Sequence, residues 1–306
     1  LALEPTLEAL AAGNRVMIKP SELTPRFSEL LAQTVAEAFP PDVLRVVTGG
    51  VELAQEFAAL PWDHLFFTGS TRVGREVART ASANLTPVTL ELGGKSPTIV
   101  SASADLERAA ASLVMAKALN AGQTCIAPDY VLVHENHRTA FAQAFSQALQ
   151  KQYPELGDTP DYSSLVSDRH FDRQLELLED ARDQGASILT PDWAPKLPDR
   201  SRRRLPPTLV INATAAMRVM QEEIFGPLLP VLFYEKLDTA FEIIGQHDRP
   251  LALYWFGQSA AEERRILHET IAGGVTINDC ILHIAQTNLP FGGVGASGYG
   301  SYHGEW

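Results

Sequence analysis

The chain has 306 residues, of which 45% are hydrophobic and 20% are charged. This length allows about two domains, and the composition is typical of a folded globular protein and excludes a wholly disordered one. With 25 basic against 37 acidic side chains, the formal net charge of −12 disfavours nucleic acid and anionic membranes as partners. No apolar run is long enough to cross a bilayer, so we expect no membrane segment.

The two cysteines of the chain, Cys125 and Cys280, lie far apart in the sequence. This spacing predicts neither a disulfide framework nor a zinc site, and we expect no bound metal. No secretory signal peptide is recognisable. Thiols that stay reduced are typical of the cytoplasm, where we expect the protein to act.

Short apolar runs alternate with amphipathic stretches in the first part of the chain, as strands and helices do. Strands are predicted at 15–19, 43–47, 64–67 and 86–90, and helices at 25–39, 51–60 and 72–83. Strands that alternate with helices in this way predict a parallel sheet covered by crossover helices.

The same alternation continues beyond residue 96. Strands are predicted at 98–100, 130–133, 208–211, 229–234, 251–256 and 275–278, and helices at 106–119, 138–150 and 171–184. Prolines and polar residues predict surface loops at 154–164 and 190–207, with the run Arg202 to Arg204 solvated, and glycines predict a loop over 291–304. The fold class is therefore α/β.

Cys125 ends the segment Asn120-Ala121-Gly122-Gln123-Thr124-Cys125, which joins a predicted helix to a strand. Glycine allows a sharp backbone turn there, and a thiol on such a turn of an α/β protein is a candidate nucleophile. The alternative is a buried cysteine that packs as a small hydrophobic residue. We favour that alternative for Cys280, whose surroundings in the sequence are apolar.

Glu91 lies at the end of an apolar predicted strand, just before the pair Gly93-Gly94. The carboxyl ends of parallel strands face the crevice in which ligands bind. A carboxylate in apolar surroundings has a raised pKa, which suits a general base near neutral pH. The alternative is a glutamate in a salt bridge, with Lys95 as a candidate partner.

A glycine turn between a strand and a helix, Thr68-Gly69-Ser70-Thr71, is a candidate phosphate site. Backbone amides at the start of the helix and the hydroxyl of Ser70 would face a pyrophosphate. The spacing from Gly69 to Gly74 differs from the G-x-G-x-x-G pattern, so an ordinary turn stays an open alternative.

Lys19 ends the first predicted strand, and Glu22 follows it closely. Lys19 could reach a ribose or phosphate oxygen, and Glu22 could accept a hydrogen bond from a ribose 2′-hydroxyl. A carboxylate at that position would repel a 2′-phosphate, which favours NAD over NADP. A solvated turn is the alternative.

The segment Glu222-Glu223-Ile224-Phe225-Gly226-Pro227 combines two acids with an apolar pair and a helix breaker. Glu223 could bind the hydroxyls of a second ribose, with Phe225 near a nicotinamide. The alternative is an ordinary helix end or loop.

Taken together, six motifs resemble the aldehyde dehydrogenase superfamily in order and spacing. They are Lys19-Pro20-Ser21-Glu22, Phe67-Thr68-Gly69-Ser70-Thr71, Glu91-Leu92-Gly93-Gly94-Lys95-Ser96-Pro97, Gly122-Gln123-Thr124-Cys125, Glu223-Ile224-Phe225-Gly226-Pro227 and Pro290-Phe291-Gly292-Gly293-Val294-Gly295. Glu91 and Cys125 are 34 positions apart, as in that superfamily. The resemblance spans nearly the whole chain.

Two further patterns are similar to particular branches of the superfamily. The segments 123–130 and 301–304 resemble the class 3 branch, whereas 278–279 and 283–286 resemble bacterial coniferyl aldehyde dehydrogenases. The resemblance implies oxidation of an aldehyde, aromatic in the coniferyl branch, to the carboxylic acid. NAD is the implied cofactor, with NADP as the alternative.

The resemblance also implies roles for the motif residues. Cys125 would be the nucleophile, which forms a thiohemiacetal and then a thioester, and Glu91 would be the general base for hydrolysis. The residues that would bind the dinucleotide are Lys19, Glu22, Gly69, Ser70, Val73, Gly74, Leu92, Glu223 and Phe225.

The implied fold joins a parallel Rossmann-type cofactor domain to an α/β catalytic domain. Residues 1–92 would be part of the cofactor domain, 93–285 the catalytic domain, and 286–306 a glycine-rich segment that returns toward the cofactor domain.

We expect the chain to be truncated at both ends relative to that superfamily. The superfamily's oxyanion-hole asparagine, in a Trp-Asn motif, would precede Leu1, and a bridging segment would follow Trp306. The fragment should therefore be impaired, whereas the intact protein, which the resemblance implies is a homodimer, should be active.

Three alternative functions stay open. An acylating enzyme would pass the thioester to coenzyme A, although it would have less need of a base such as Glu91. A catalytically inactive relic of the fold is the second. The third, an unrelated cysteine hydrolase, would need a histidine near Cys125, and the sequence does not identify one.

Overall fold

The computed structural model describes residues 2–194 and 196–303. Two compact units make up the chain, Leu1–Glu91 and Leu92–Trp306. Glu91 is thus the last residue of the first unit, and Cys125 belongs to the second. In the described part of the chain, no helix has both the length and the apolar character needed to span a lipid bilayer.

The first unit alternates helices and strands, as predicted. Its elements are α1 (Leu3–Ala11), β1 (Val16–Ile18), α2 (Pro25–Ala38), β2 (Leu44–Val46), α3 (Val51–Ala58), β3 (Leu65–Thr68), α4 (Thr71–Ser82) and β4 (Val88–Glu91). β1 pairs with β2 and β3 pairs with β4, both in parallel, so α2 and α4 are the crossover helices.

Apolar faces of these helices pack on the strands. Leu31 and Val35 lie four residues apart and therefore on one face of α2. They form a buried cluster with Ile18 of β1 and Leu44 of β2. A second cluster joins α3, β3 and α4 in the same way. This packing fixes the carboxyl ends of the strands, where the candidate cofactor residues lie.

The second unit is built around one large sheet. Its elements are β5 (Pro97–Val100), α5 (Leu106–Ala118), β6 (Tyr130–His134), α6 (Phe141–Gln152), α7 (Asp168–Asp183), β7 (Ser187–Leu189), β8 (Thr208–Ile211), α8 (Arg218–Gln221), β9 (Leu228–Tyr234), α9 (Leu237–Gly245), β10 (Ala252–Phe256), α10 (Ala260–Glu269), β11 (Gly274–Ile277) and β12 (Gly298–Tyr299). Among the described residues the strand order is β11-β10-β5-β6-β9-β8-β7.

The strand pairing of this sheet confirms the predicted α/β class. Every pair is parallel except β7, which adds to the edge antiparallel to β8. β5 and β10 are buried along their whole length. Continuous apolar strands are typical of a parallel sheet covered on both faces.

Some helix boundaries differ from the predicted ones. α6 begins at Phe141 rather than at residue 138, because Glu135–His137 forms a separate 3-10 turn. α7 begins before the predicted residue 171, since the side chain of Ser167 caps it by accepting a hydrogen bond from the amide of His170. The short elements β7 and α8 and the helices α9 and α10 were not predicted.

Two predicted loops are more ordered than the sequence indicated. The arginine run is only partly solvated, because Arg202, Arg203 and Arg204 donate hydrogen bonds to backbone carbonyls at 157, 165 and 159 respectively. These hydrogen bonds hold the segments 154–164 and 190–207 against each other. The glycine-rich tail is mostly irregular, as predicted, but it also contains the two-residue strand β12 and a bridge between Phe291 and Tyr302, which the sequence did not indicate. Residue 304 lies outside the described residues.

Candidate active site

The turn that carries Cys125 is a left-handed backbone segment. After α5, the residues Asn120, Ala121 and Gly122 have φ values of 49°, 53° and 73°. Consecutive left-handed residues reverse the chain sharply, and the side chain of Asn120 stabilises the turn by donating to the carbonyl of Gln123 at 3.0 Å. The result is a half-buried Cys125 just beyond the turn.

Gly122 is required at this turn by contact as well as by conformation. A Cβ built on it would lie 2.2 Å from the carbonyl oxygen of Gly226. The turn that carries the thiol therefore packs backbone against backbone on residues 222–226, the Glu223 loop. A side chain at Gly122 would force the two apart.

Side chains on both sides of Cys125 anchor the turn. Gln123 donates to the carbonyl of Ser164 at 3.1 Å and accepts from the amide of Val166 at 2.9 Å. Beyond the thiol, the buried hydroxyl of Tyr254 donates to the carbonyl of Ile126 at 2.5 Å. These bonds limit the movement of the backbone on which the thiol is carried.

Cys280 differs from Cys125 in its surroundings. It is completely buried, and burial raises the pKa of its thiol well above the usual range, with Asp279 adding to the effect. A thiol held in its neutral form is a poor nucleophile. The expectation that Cys280 packs as a hydrophobic residue is confirmed.

Glu91 ends β4 as a buried carboxyl that is 2% exposed. Among residues 2–194 and 196–303, no hydrogen-bond partner reaches either of its carboxyl oxygens. Burial raises its pKa to about 8. The alternative salt bridge to Lys95 is not formed, because Lys95 pairs with Asp129. A carboxyl in this condition can take up a proton near neutral pH.

The start of α4 collects four of the predicted cofactor residues. Ser70 is the N-cap, and its hydroxyl accepts from the amide of Val73 at 3.4 Å. Gly69 and Ser70 are exposed, whereas Gly74 is buried in the first turn of the helix. Exposed amides at a helix start can bind an anionic group.

Lys19 and Glu22 form an ion pair of 3.0 Å at the end of β1. Backbone hydrogen bonding at Glu22, followed by the bond from Lys19, lowers the pKa of this carboxyl and keeps it charged. Glu22 also lines a shallow cavity of about 190 Å³. Thr48 and Gly49 line it as well. Sequence reasoning missed these two, although they follow β2 and so lie at the same edge as Lys19.

The Glu223 loop lies against the turn that follows β4. A Cβ on Gly93 would lie 2.2 Å from a carboxyl oxygen of Glu223, so only glycine leaves room there. Burial and, secondly, the charge of Asp129 raise the pKa of Glu223 to about 7. Leu92 is buried, and its amide donates to the carbonyl of Ser297 at 3.1 Å. Phe225 is exposed.

Apart from Glu91, which ends β4 in the first unit, the site residues fall into three local groups. Lys19 and Glu22 form one, and the start of α4 forms another, both in the first unit. The third, in the second unit, contains the turn before Cys125, the Glu223 loop and the turn at Gly93. Asp129, which accepts from the Glu223 loop, was not predicted from the sequence.

Comparisons with known proteins find similar sequences over the whole chain. The model of the aldehyde dehydrogenase family matches residues 1–306. A probable coniferyl aldehyde dehydrogenase of Pseudomonas aeruginosa is 51% identical over 305 residues, which cover 100% of this chain and 63% of that protein. The coniferyl aldehyde dehydrogenase of a Pseudomonas strain is 46% identical, covering 99% of this chain and 63% of its own length.

A solved structure is similar over almost all of the chain. It is the substrate-bound state of Staphylococcus aureus AldH, with a TM-score of 0.94 and 42% identity, and the match covers 99% of this chain and 65% of that one. The chain therefore spans less than two thirds of the length of these relatives.

Proposed function

The chain belongs to the aldehyde dehydrogenase family, and from that membership we propose that the protein oxidises an aldehyde to its carboxylic acid, with a nicotinamide dinucleotide as hydride acceptor. The observation that carries the proposal is the buried Glu91 carboxyl at the end of β4, whose pKa of about 8 suits a general base. The proposed substrate is an aromatic aldehyde of the coniferyl type, which is supported by the names of the relatives at 51% and 46% identity.

Cys125 would begin the reaction as a thiolate. Its sulfur forms a bond to the carbonyl carbon, and the π electrons of the carbonyl move to the oxygen, which gives a thiohemiacetal oxyanion. As the oxyanion re-forms the carbonyl, the hydrogen leaves this carbon with its electron pair, and a bound dinucleotide would supply the hydride acceptor. The acyl group stays on Cys125 as a thioester.

Glu91 would complete the cycle. Its carboxylate takes a proton from water, whose oxygen attacks the thioester carbon. The carbon–sulfur bond breaks, so that the carboxylic acid leaves and the thiolate of Cys125 is restored. A base with a pKa of about 8 binds the proton more strongly than an ordinary glutamate does.

The side chains present fit a dinucleotide. The N-terminal end of α4 and the hydroxyl of Ser70 suit a pyrophosphate. The Glu22 cavity suits a ribose. Glu223, held over the backbone of Gly93, suits the hydroxyls of a second ribose. These residues would bind and orient the cofactor, whose own chemistry carries the redox step.

NAD is proposed in preference to NADP. Glu22 is kept charged by its lowered pKa, and a charged carboxylate at an adenosine ribose would repel a 2′-phosphate.

A homodimer stays a prediction from the family resemblance.

One turnover experiment tests the proposal. The protein that carries this chain is assayed with coniferyl aldehyde, benzaldehyde and hexanal, each with NAD and with NADP, and with or without coenzyme A. We expect acid and NADH to form without coenzyme A, fastest with coniferyl aldehyde, and no turnover by C125A. A strict requirement for coenzyme A, or full activity of C125A, would refute the proposed mechanism.

A further inference from the structure

The Glu223 loop, defined as residues 222–226, has an unfavourable backbone conformation. Phe225 has a φ of 47°, in the left-handed region that side chains other than glycine rarely adopt. Its side chain is exposed, so burial of the ring does not offset this cost. A conformation of this kind persists only where surrounding contacts hold the backbone in place.

A buried ion pair holds the loop on both sides of Glu223. Lys95 donates to the carbonyl of Glu222 at 3.1 Å and to that of Val219 at 2.7 Å, and it pairs with Asp129. The other oxygen of Asp129 accepts from the amide of Ile224 at 2.8 Å. Lys95 therefore binds the residue before Glu223, and Asp129 binds the residue after it.

The same pair relates the loop to the backbone on which Glu223 rests. Lys95 is only two residues beyond Gly93, whose Cα faces the carboxyl group of Glu223. Because one side chain connects the Gly93 turn to the carbonyl of Glu222, a short covalent and hydrogen-bonded path limits the distance between that turn and Glu223. Arg173 also holds the loop, by donating to the carbonyls of Glu223 and Ile224.

Stability alone does not explain this arrangement. The side chains of Lys95 and Asp129 are only 6% and 4% exposed, and removing two charges from water is costly. Apolar residues of similar volume often fill such a position as well or better. A buried pair that bonds three backbone groups of one segment is instead suited to fixing the position of that segment.

We propose that Lys95 and Asp129 are positioning residues for Glu223, which they hold ready to bind the nicotinamide ribose. The inference rests on the proposed function for its ligand, but the geometry of the pair does not depend on that function.

The test compares D129N, the double variant K95M/D129L and the control D158N. Asparagine keeps an acceptor for the amide of Ile224 but removes the charge opposite Lys95. The double variant removes both charges of the pair, so Lys95 is not left without its partner if D129N folds poorly. Asp158 forms an exposed pair with Lys196 at 2.7 Å, so D158N makes the same change without touching the loop.

Two measurements are made on each variant. Equilibrium dialysis gives the Kd for NAD, and we expect it to rise about tenfold or more in D129N and in the double variant, since each loses a charged hydrogen bond. The KM for NAD should rise with it, while the KM for the aldehyde stays within about threefold. Hydrogen exchange of peptides covering 219–226 should become faster in both variants and stay unchanged in D158N.

Each outcome decides the inference. Unchanged exchange at 219–226 in both variants would show that the pair does not fix the loop. Faster exchange with an unchanged Kd for NAD would show that the loop is fixed but not for the cofactor, which would also overturn the inference. If the unaltered protein binds no dinucleotide at all, the proposed function fails, and the exchange measurement still decides whether the pair holds the loop.

Discussion

Replacing Glu91 with glutamine separates the two halves of the proposed reaction. E91Q removes the base while keeping the size of the side chain, so Cys125 should still form a thioester but lose it slowly. General-base catalysis contributes roughly 10²- to 10⁴-fold, and we expect the steady-state rate to fall by that factor. The first turnover should persist as a burst of NADH close to the enzyme concentration.

The raised pKa of Glu91 also predicts the pH dependence of this variant. Below a pKa of about 8 the base form grows roughly tenfold for each pH unit, so hydrolysis in the unaltered protein should accelerate up to about pH 8 and then level off. E91Q has no such group, and its slow hydrolysis should lack this rise.

The stability of the folded protein should fall as pH rises, whereas the rate of hydrolysis increases. Burial raises the pKa of Glu91 from 4.5 to about 8. This shift corresponds to a free-energy cost of roughly 5 kcal/mol for the charged carboxylate in the folded protein, relative to the unfolded chain. In this window the folded protein binds more protons than the unfolded chain, so its stability is lost as pH rises. The melting temperature of the unaltered protein should therefore fall relative to E91Q between pH 5 and about 9.

Stopped-flow absorbance and thermal unfolding across this pH range test both parts. An E91Q variant with no burst, or with an unchanged steady-state rate, would contradict the role of Glu91 as base. If the difference in melting temperature between the unaltered protein and E91Q does not vary with pH, Glu91 does not have a raised pKa in the folded protein.

Three further substitutions have defined outcomes. G122A should reduce activity by more than about a hundredfold, because a Cβ would meet the carbonyl of Gly226 at 2.2 Å; near-normal activity would show that the turn has room to adjust. E22Q should improve kcat/KM for NADP relative to NAD by about tenfold, since it removes a charge that repels a 2′-phosphate, and an unchanged ratio would place the adenosine ribose elsewhere. S70A should lower the free energy of unfolding by about 1 kcal/mol in urea titrations, because the hydroxyl that caps α4 is lost; no loss would mean that the 3.4 Å bond contributes nothing.

The candidate site residues that lie in short motifs could be predicted from the sequence, because neighbouring residues indicate their local structure. The glycine turn before Cys125 and the strand end at Glu91 follow from short-range patterns. Long elements with strong periodicity were also predicted, and the α/β class followed from their alternation.

What the sequence did not reveal depends on contacts between distant residues. The pairing of Lys95 with Asp129 joins positions 34 residues apart, and no local pattern indicates it. The arginine run appeared solvated because charge dominates its composition, whereas its guanidinium groups reach carbonyls on another segment. β7 and α8 are only three and four residues long, too short for periodicity to show.

Trapping the acyl enzyme tests the central claim most directly. E91Q is incubated with coniferyl aldehyde and NAD, quenched in acid and digested, and the peptides are analysed by mass spectrometry. We expect a feruloyl group, the acyl group that oxidation of coniferyl aldehyde produces, on Cys125, absent when NAD is omitted and absent from the double variant C125A/E91Q. An acyl group on another residue, or none on Cys125 while NADH is formed, would contradict it.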